Sequence, residues 1–372
     1  MPQFSRRSFL QFSAAASAAA MLPSFGEAML AQSARPSMPR PSPGAVVIDA
    51  NENPLGPCQS ARDAMAEILP HGNRYQSYLT DDLIKSYAQL EGVKPEYIRV
   101  TVGSTPALSL AVLAFTSPQK SYVTADPSFE IGMMMADRAK ARLVKVPLTK
   151  TYAHDVRTML SEAPDGGFFY ICNPNNPTGT LTSHSDIEYL VANKPKDAVV
   201  MVDEAYIHFT EKTETALDLV KADKDVIVLR TFSKVYGMAG IRCGVTIARP
   251  DLLDKILERG GWNFMPVTAV VAATASLKDA QLVPERRSVN ANVRQQTFDW
   301  LDRNGYTYIP SESNCFMVDV KRPGRQVQDA MAKQDVFIGR TWPVMPNCVR
   351  ITVGTEDEME KFQATFQRVM KS

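Results

Sequence analysis

Seven short apolar runs, several of them continuous, constrain what this chain can fold into more than any other feature. They are IRVTV (Ile98 to Val102), SYVTA (Ser121 to Ala125), RLVKV (Arg142 to Val146), FFYIC (Phe168 to Cys172), AVVMV (Ala198 to Val202), VIVLR (Val226 to Arg230) and GVTIA (Gly244 to Ala248). Amphipathic helical stretches separate them, and one starts at Ser185-Asp186-Ile187-Glu188, the spacing of a capping box. A strand without polar alternation needs cover on both faces, which intervening helices supply. The pattern predicts an α/β fold with a seven-stranded, mostly parallel sheet flanked by helices. After about Pro284 the texture changes to one long amphipathic helix and then the shorter runs CFMVDV, VFIG and CVRITV, predicting a smaller C-terminal α+β domain.

At 372 residues and 45% hydrophobic, the chain is long enough to bury more than one core. Its 41 basic and 40 acidic residues leave a net charge of +1, so no bulk field draws nucleic acid or an anionic membrane, and a small molecule is the expected partner. The five cysteines (Cys58, Cys172, Cys243, Cys315, Cys348) are odd in number, widely spaced and without C-x-x-C, which fits neither a disulfide framework nor zinc. No two of the four histidines stand at i, i+4 and there is no H-E-x-x-H, so no metal site is expected.

The first residues stand apart from this pattern. In SRRSFLQFSAAASAAAMLPSF, Arg6 and Arg7 precede Phe9, Leu10 and an Ala/Ser-rich stretch, and Ser5 to Leu10 resembles the core of a twin-arginine export signal. The apolar run is too short to span about 30 Å of hydrocarbon. Residues 1–34 are therefore expected to address the chain to the twin-arginine machinery and the periplasm, with cleavage after Ala28, Ala31 or Ala34. ARPSMPRPSPG (Ala34 to Gly44) reads as a Pro-rich extended leader, and the mature domain begins near Ala45. The expected division is a leader and active-site segment over 35–74, a large domain over 75–283 and a small domain over 284–372.

In open parallel sheets, ligands collect beyond the carboxyl ends of the strands. Beyond FFYIC comes NPNNPTG (Asn173 to Gly179), beyond AVVMV comes DEAY (Asp203 to Tyr206), and beyond VIVLR comes TFSK, ending at Lys234. Three strand ends thus bring an amide, a carboxylate and an amine to one crevice. VGSTPALSLA (Val102 to Ala111) reads as a strand-to-helix turn: Gly103 permits close approach, Ser104 or Thr105 can cap, and Pro106 suits the first helical turn. The N–H groups of such a helix start suit a phosphate, and Arg242, in RTFSKVYGMAGIRCG, offers a fork for the same anion.

Through NENPLGP (Asn51 to Pro57), NRYQSY (Asn73 to Tyr78), NPNNPTG, DEAYIHF, TFSKVYGMAGIRCG and VRITVGT (Val349 to Thr355), the chain resembles the fold-type I pyridoxal-phosphate aminotransferases of class I/II, in particular the histidinol-phosphate aminotransferase branch. The resemblance implies that Lys234 holds pyridoxal 5'-phosphate as a Schiff base and then acts as general base. It implies that Asp203 pairs with the pyridine nitrogen, that Asn176 and Tyr206 bond the phenolic oxygen, and that Phe129 stacks on the ring. Ser104, Thr105, Thr231, Ser233 and Arg242 would hold the phosphate. Tyr75 would reach the neighbouring subunit's cofactor in a homodimer. Arg350 would bind the substrate carboxylate, with Arg340 and Asn53 facing its distal group.

The implied reaction moves an amino group between a histidinol-phosphate-like or aromatic donor and 2-oxoglutarate. Two features bear on the donor. Family members usually carry an acidic or amide residue and then glutamate where this chain has Thr105 and Pro106, which removes a polar contact to the substrate's distal end. Histidine biosynthesis is cytoplasmic, whereas the signal directs folded protein outward, and this favours an aromatic donor. A lyase resembling the threonine-phosphate decarboxylases would keep every cofactor residue; a non-catalytic cofactor-binding protein would not need Arg350.

Overall fold

In the computed structural model, which describes residues 41–260 and 264–371, all seven apolar runs are strands of one sheet. The export signal and its cleavage positions lie outside the described residues. In chain order the first strands are β1 (Val46–Ile48), β2 (Ile98–Thr101), β3 (Ser121–Asp126), β4 (Leu143–Pro147), β5 (Gly166–Cys172), β6 (Val199–Asp203), β7 (Val226–Thr231) and β8 (Gly244–Ile247). The large sheet runs β2-β8-β7-β6-β5-β3-β4, and β8 is antiparallel to both neighbours while the other pairings are parallel. Strands β5 to β8 are buried at every residue, as their unbroken apolar runs require. Edge strand β4 instead alternates exposed and buried residues, since only one of its faces meets the core.

A second core lies toward the C-terminus. β9 (Thr307–Ile309), β10 (Cys315–Asp319), β11 (Val336–Ile338) and β12 (Cys348–Thr352) follow the 22-residue helix Leu282–Arg303. They form an antiparallel sheet of order β12-β10-β9 and a parallel pair, β1 with β11. Val46 and Ile48 of β1 thus pack with Phe316, Val349 and Phe362, far along the chain. The long helix joins the two cores, giving Leu282 to the large one and Val293, Phe298 and Leu301 to the other.

One expected element start is corrected. The helix His184–Asn193 is capped by Ser183, whose hydroxyl accepts from the Asp186 N–H at 3.1 Å and donates to the Asp186 carboxylate at 2.6 Å. The box is therefore formed by Ser183 and Asp186, not by Ser185 and Glu188. The serine-to-acid spacing occurs twice in this stretch, and Ser183 is the serine with the extended backbone (φ −64°, ψ 149°) that an N-cap needs.

A buried ion pair braces the strand ends. Arg230 Nε on β7 donates to Glu204 Oε2 at 2.6 Å, with side chains 6% and 1% exposed. Glu204 also accepts from Thr215 Oγ1 and, at 2.7 Å, from the Ala216 N–H, while Arg230 Nη1 reaches Glu91 at 3.3 Å. Each charge has hydrogen-bonding partners, which offsets the cost of its desolvation. Glu204→Gln keeps the shape but strands much of Arg230's buried charge, so the variant should lose on the order of 3 kcal/mol of stability. Urea unfolding of the cofactor-free protein reads this directly, and an unchanged midpoint would show that the pair is not needed.

Candidate active site

The carboxyl ends of β5, β6 and β7 lie side by side, with Cys172 opposite Asp203 and Asp203 opposite Leu229. Asp203 ends β6 and is buried. The Tyr170 hydroxyl donates to its Oδ2 at 2.8 Å and the Ala205 N–H to its Oδ1 at 3.1 Å. Burial raises the carboxyl from 3.8 to about 6, although these two bonds and the charge of Lys234 pull the other way. Such a carboxylate gains from a cation placed against it.

Lys234 is also buried. Its Nζ donates to the carbonyls of Asn51 at 3.0 Å and Ala50 at 3.3 Å, and lies 5.4 Å from the centre of the Tyr206 ring. The Tyr206 hydroxyl accepts from Asn51 Nδ2 at 3.0 Å. Asn51 has φ 54°, a left-handed conformation that asparagine tolerates better than most residues. Its N–H donates to Thr352 Oγ1 at 2.9 Å and its carbonyl accepts from Asn314 Nδ2 at 3.1 Å. Asn53 ties the same segment to the residue after the lysine, donating from Nδ2 to the Val235 carbonyl at 3.0 Å.

At the other end of the crevice, Gly103 (φ 82°) precedes the helix Ser104–Phe115, and among the described residues no side chain caps it. Arg242 Nη1 donates to Ser233 Oγ at 3.2 Å and to the Ala239 carbonyl at 2.8 Å, and the Ser233 N–H donates to Thr231 Oγ1 at 3.1 Å. A Cβ on Gly103 would overlap the Arg242 guanidinium, and one on Gly244 would meet the backbone of Gly103 and Ser104. Burial lowers the Arg242 pKa, and its hydrogen-bond partners among the described residues are a hydroxyl and two carbonyls, with no carboxylate. Arg242 itself holds φ 69°, a conformation costing a non-glycine residue about 1 to 2 kcal/mol. A half-buried cation beside an uncapped helix start is a cradle for an anion.

The third group lies on β12 and the turn before it. Arg350 is fully buried, and its Nη1 donates to Asn176 Oδ1 at 2.9 Å and its Nη2 to the Asp49 carbonyl at 2.5 Å. Its guanidinium carbon lies 5.5 Å from the centre of the Trp342 ring, and that of Arg340 lies over the same ring at 4.2 Å. Arg340 is ion-paired through Nη1 to Glu130, the residue after half-buried Phe129. Tyr75 stands elsewhere, 75% exposed on the surface and stacked on Phe264 at 4.7 Å.

The structure thus gathers Asp203, Lys234 and Tyr206, then Thr231, Ser233 and Arg242 beside Ser104 and Thr105, then Asn176, Arg350 and Arg340. It leaves Tyr75 outside that set within a single chain. Sequence reading passed over Asn51, Tyr170, Glu130 and Trp342. Asn51 heads the NENPLGP motif, and Tyr170 is the one hydroxyl in the fully buried run FFYIC, so a partner for it was foreseeable. His184, Glu188 and Asp218 bring potential ligand atoms within 4.8 Å of one another, a half-buried histidine with two exposed acids of a kind common without an ion.

These residues fit pyridoxal 5'-phosphate: a cradle for its phosphate, a buried amine for its aldehyde and a buried acid for its ring nitrogen. Comparisons with known proteins agree. The family model for aminotransferase class I and II matches residues 44–366, and the model for the twin-arginine translocation pathway signal sequence matches residues 3–23. The chain is 32% identical to the histidinol-phosphate aminotransferase of Moorella thermoacetica, over 87% of this chain and 85% of that one. It is 31% identical to the aromatic amino acid aminotransferase of Cutibacterium acnes, over 88% and 93%. The crystal structure of histidinol-phosphate aminotransferase from Sinorhizobium meliloti in complex with pyridoxal-5'-phosphate superposes with a TM-score of 0.82 at 25% identity, covering 100% of this chain and 99% of that one.

The raised carboxyl of Asp203 has a consequence for stability. Folded Asp203 stays protonated up to about pH 6, whereas in the unfolded chain it ionises near 3.8. Across that window the folded state binds more protons, so stability falls as pH rises, by about 3 kcal/mol once pH 7 is reached. Asp203→Asn removes the effect: without cofactor the variant should be the more stable protein at pH 7, and the advantage should shrink as pH drops from 6 to 4. Urea unfolding across that range checks it, and a pH-independent difference would refute it.

Proposed function

The chain belongs to the class I and II aminotransferases, which are pyridoxal-phosphate enzymes, and from that premise we propose that it moves an amino group between a histidinol-phosphate-like or aromatic donor and 2-oxoglutarate. What supports the reading most is the buried Lys234 amine standing 5.4 Å from the Tyr206 ring, close to an acid that burial has pushed up to about 6. When bound, the cofactor supplies a sink for the negative charge that develops on the substrate carbon.

The rest falls to this chain's own groups. Lys234 would hold the cofactor's aldehyde group through Nζ, and its free amine would be the general base that takes the proton from the donor's α-carbon, keeping it on Nζ as an ammonium. Asp203 would pair with the cofactor's ring nitrogen and favour its protonated form, and Tyr170, donating to Asp203 Oδ2, would keep that carboxylate oriented. Asn176 and Tyr206 would bind the phenolic oxygen and Phe129 would lie against the ring. Ser104, Thr105, Thr231, Ser233 and Arg242 would bind the phosphate. Arg350 takes the substrate carboxylate as a planar fork, while Arg340 and Asn53 bound the distal end.

Two further features complete the proposal. The protein works as a homodimer in which Tyr75 reaches the neighbouring site. In support, Tyr75 and Phe264 are 75% and 65% exposed, and such paired rings are a surface that a second subunit would cover. The signal at residues 3–23 delivers the folded enzyme to the periplasm.

Borohydride treatment of the loaded enzyme should fix the cofactor to Lys234, read by peptide mass, and Lys234→Ala should lose both the linkage and turnover. Turnover without any linkage at Lys234 would overturn the mechanism. Replacing Arg6 and Arg7 together by lysine should leave an active enzyme in the cytoplasm, because the pair is read by a receptor and not by the fold. Cell fractionation decides this, and unaltered protein retained in the cytoplasm with an intact N-terminus would reject export.

A further inference from the structure

Glu130 is not among the residues assigned above, yet it touches the arginine at the distal end. It follows Phe129, just before the helix Ile131–Arg138, and forms an ion pair with Arg340 Nη1. The Arg340 side chain is 8% exposed and that of Glu130 25%, so water screens the pair weakly. Arg340 lies over Trp342 at 4.2 Å, and Arg350 meets the same indole at 5.5 Å. The backbone binds the two arginines as well, since the Arg350 N–H donates to the Arg340 carbonyl at 3.3 Å. Arg350 bonds to an amide oxygen and a carbonyl, whereas Arg340 faces a full carboxylate.

We propose that Glu130 is a specificity-determining residue that disfavours donors and 2-oxo acids with a negatively charged far end, relative to those whose far end is neutral. The inference rests on the aminotransferase reading of the site. A distal carboxylate or phosphate approaching Arg340 must either share the guanidinium with Glu130, like charge against like, or displace it. Both cost affinity in a poorly screened site. A phenyl or alkyl end leaves the pair intact and lies against a distal wall with no net charge. Selection here comes from a repulsive group as much as from an attractive one.

Glu130→Gln keeps the size and a hydrogen bond to Arg340 while removing the charge. For the loaded enzyme, the Kd of unreactive glutarate, measured by calorimetry, should fall at least tenfold in this variant, while that of hydrocinnamate, which carries a neutral ring, should change less than twofold. In turnover, the KM for 2-oxoglutarate should fall, and kcat/KM for phenylpyruvate should hold. Glu130→Asp keeps the charge and should keep the wild-type ratio of the two Kd values. Equal shifts for glutarate and hydrocinnamate, or no tightening of glutarate, would overturn the proposal. Wild-type enzyme that transaminates no donor would refute the aminotransferase reading instead, because the two binding measurements need no turnover.

Discussion

Burying the Asp203 carboxyl at the end of β6 is the constraint around which the site is arranged. An ionised acid inside a fully buried strand is unfavourable by itself, and the neighbouring groups lessen that cost without removing it: a tyrosine hydroxyl, a backbone N–H and a nearby ammonium. What remains is an affinity for a cation at that point. The parallel order of β5, β6 and β7 then determines which groups share the space, because their carboxyl ends open in one direction. The Arg230–Glu204 pair, one residue beyond Asp203, keeps those ends in register.

Much of this was legible in the residues. Unbroken apolar runs report burial on both faces for β5 to β8, and the alternating run of β4 reports one buried face, so all seven strands could be read without knowing their order. Asp203 and Lys234 were legible because they stand just beyond the carboxyl ends of successive strands, where ligands collect in a parallel sheet. The antiparallel β8 was not, since GVTIA reads the same in either direction. Nor was the tie between β1 and β11, because pairing across such a separation leaves no local trace.

Side-chain partnerships were the least legible part. Asn51 and Asn53 stand two apart in one motif, and only the fold shows that Asn51 reaches Tyr206 while Asn53 spends its amide on a backbone carbonyl. Arg340 was a candidate for a distal anion through the family resemblance alone, whereas the carboxylate it meets lies in another part of the chain. A charge can be read from one residue; its compensation needs two.

The first strand of the fold depends on some of the last residues. Val46 aligns with Val336, and Asn51 bonds to Thr352 across 301 positions of sequence. Contacts that distant close late, because most of the chain must be in place before they form. During synthesis β1 therefore emerges early and has no neighbour until β11 and β12 leave the ribosome. The segment that holds Lys234 in place is thus completed among the last, although it lies near the start of the chain, between the signal match at residues 3–23 and the large sheet. A nascent chain stalled short of β11 would carry its address without the partner of its own first strand, and one stalled short of β12 would lack the threonine that holds Asn51.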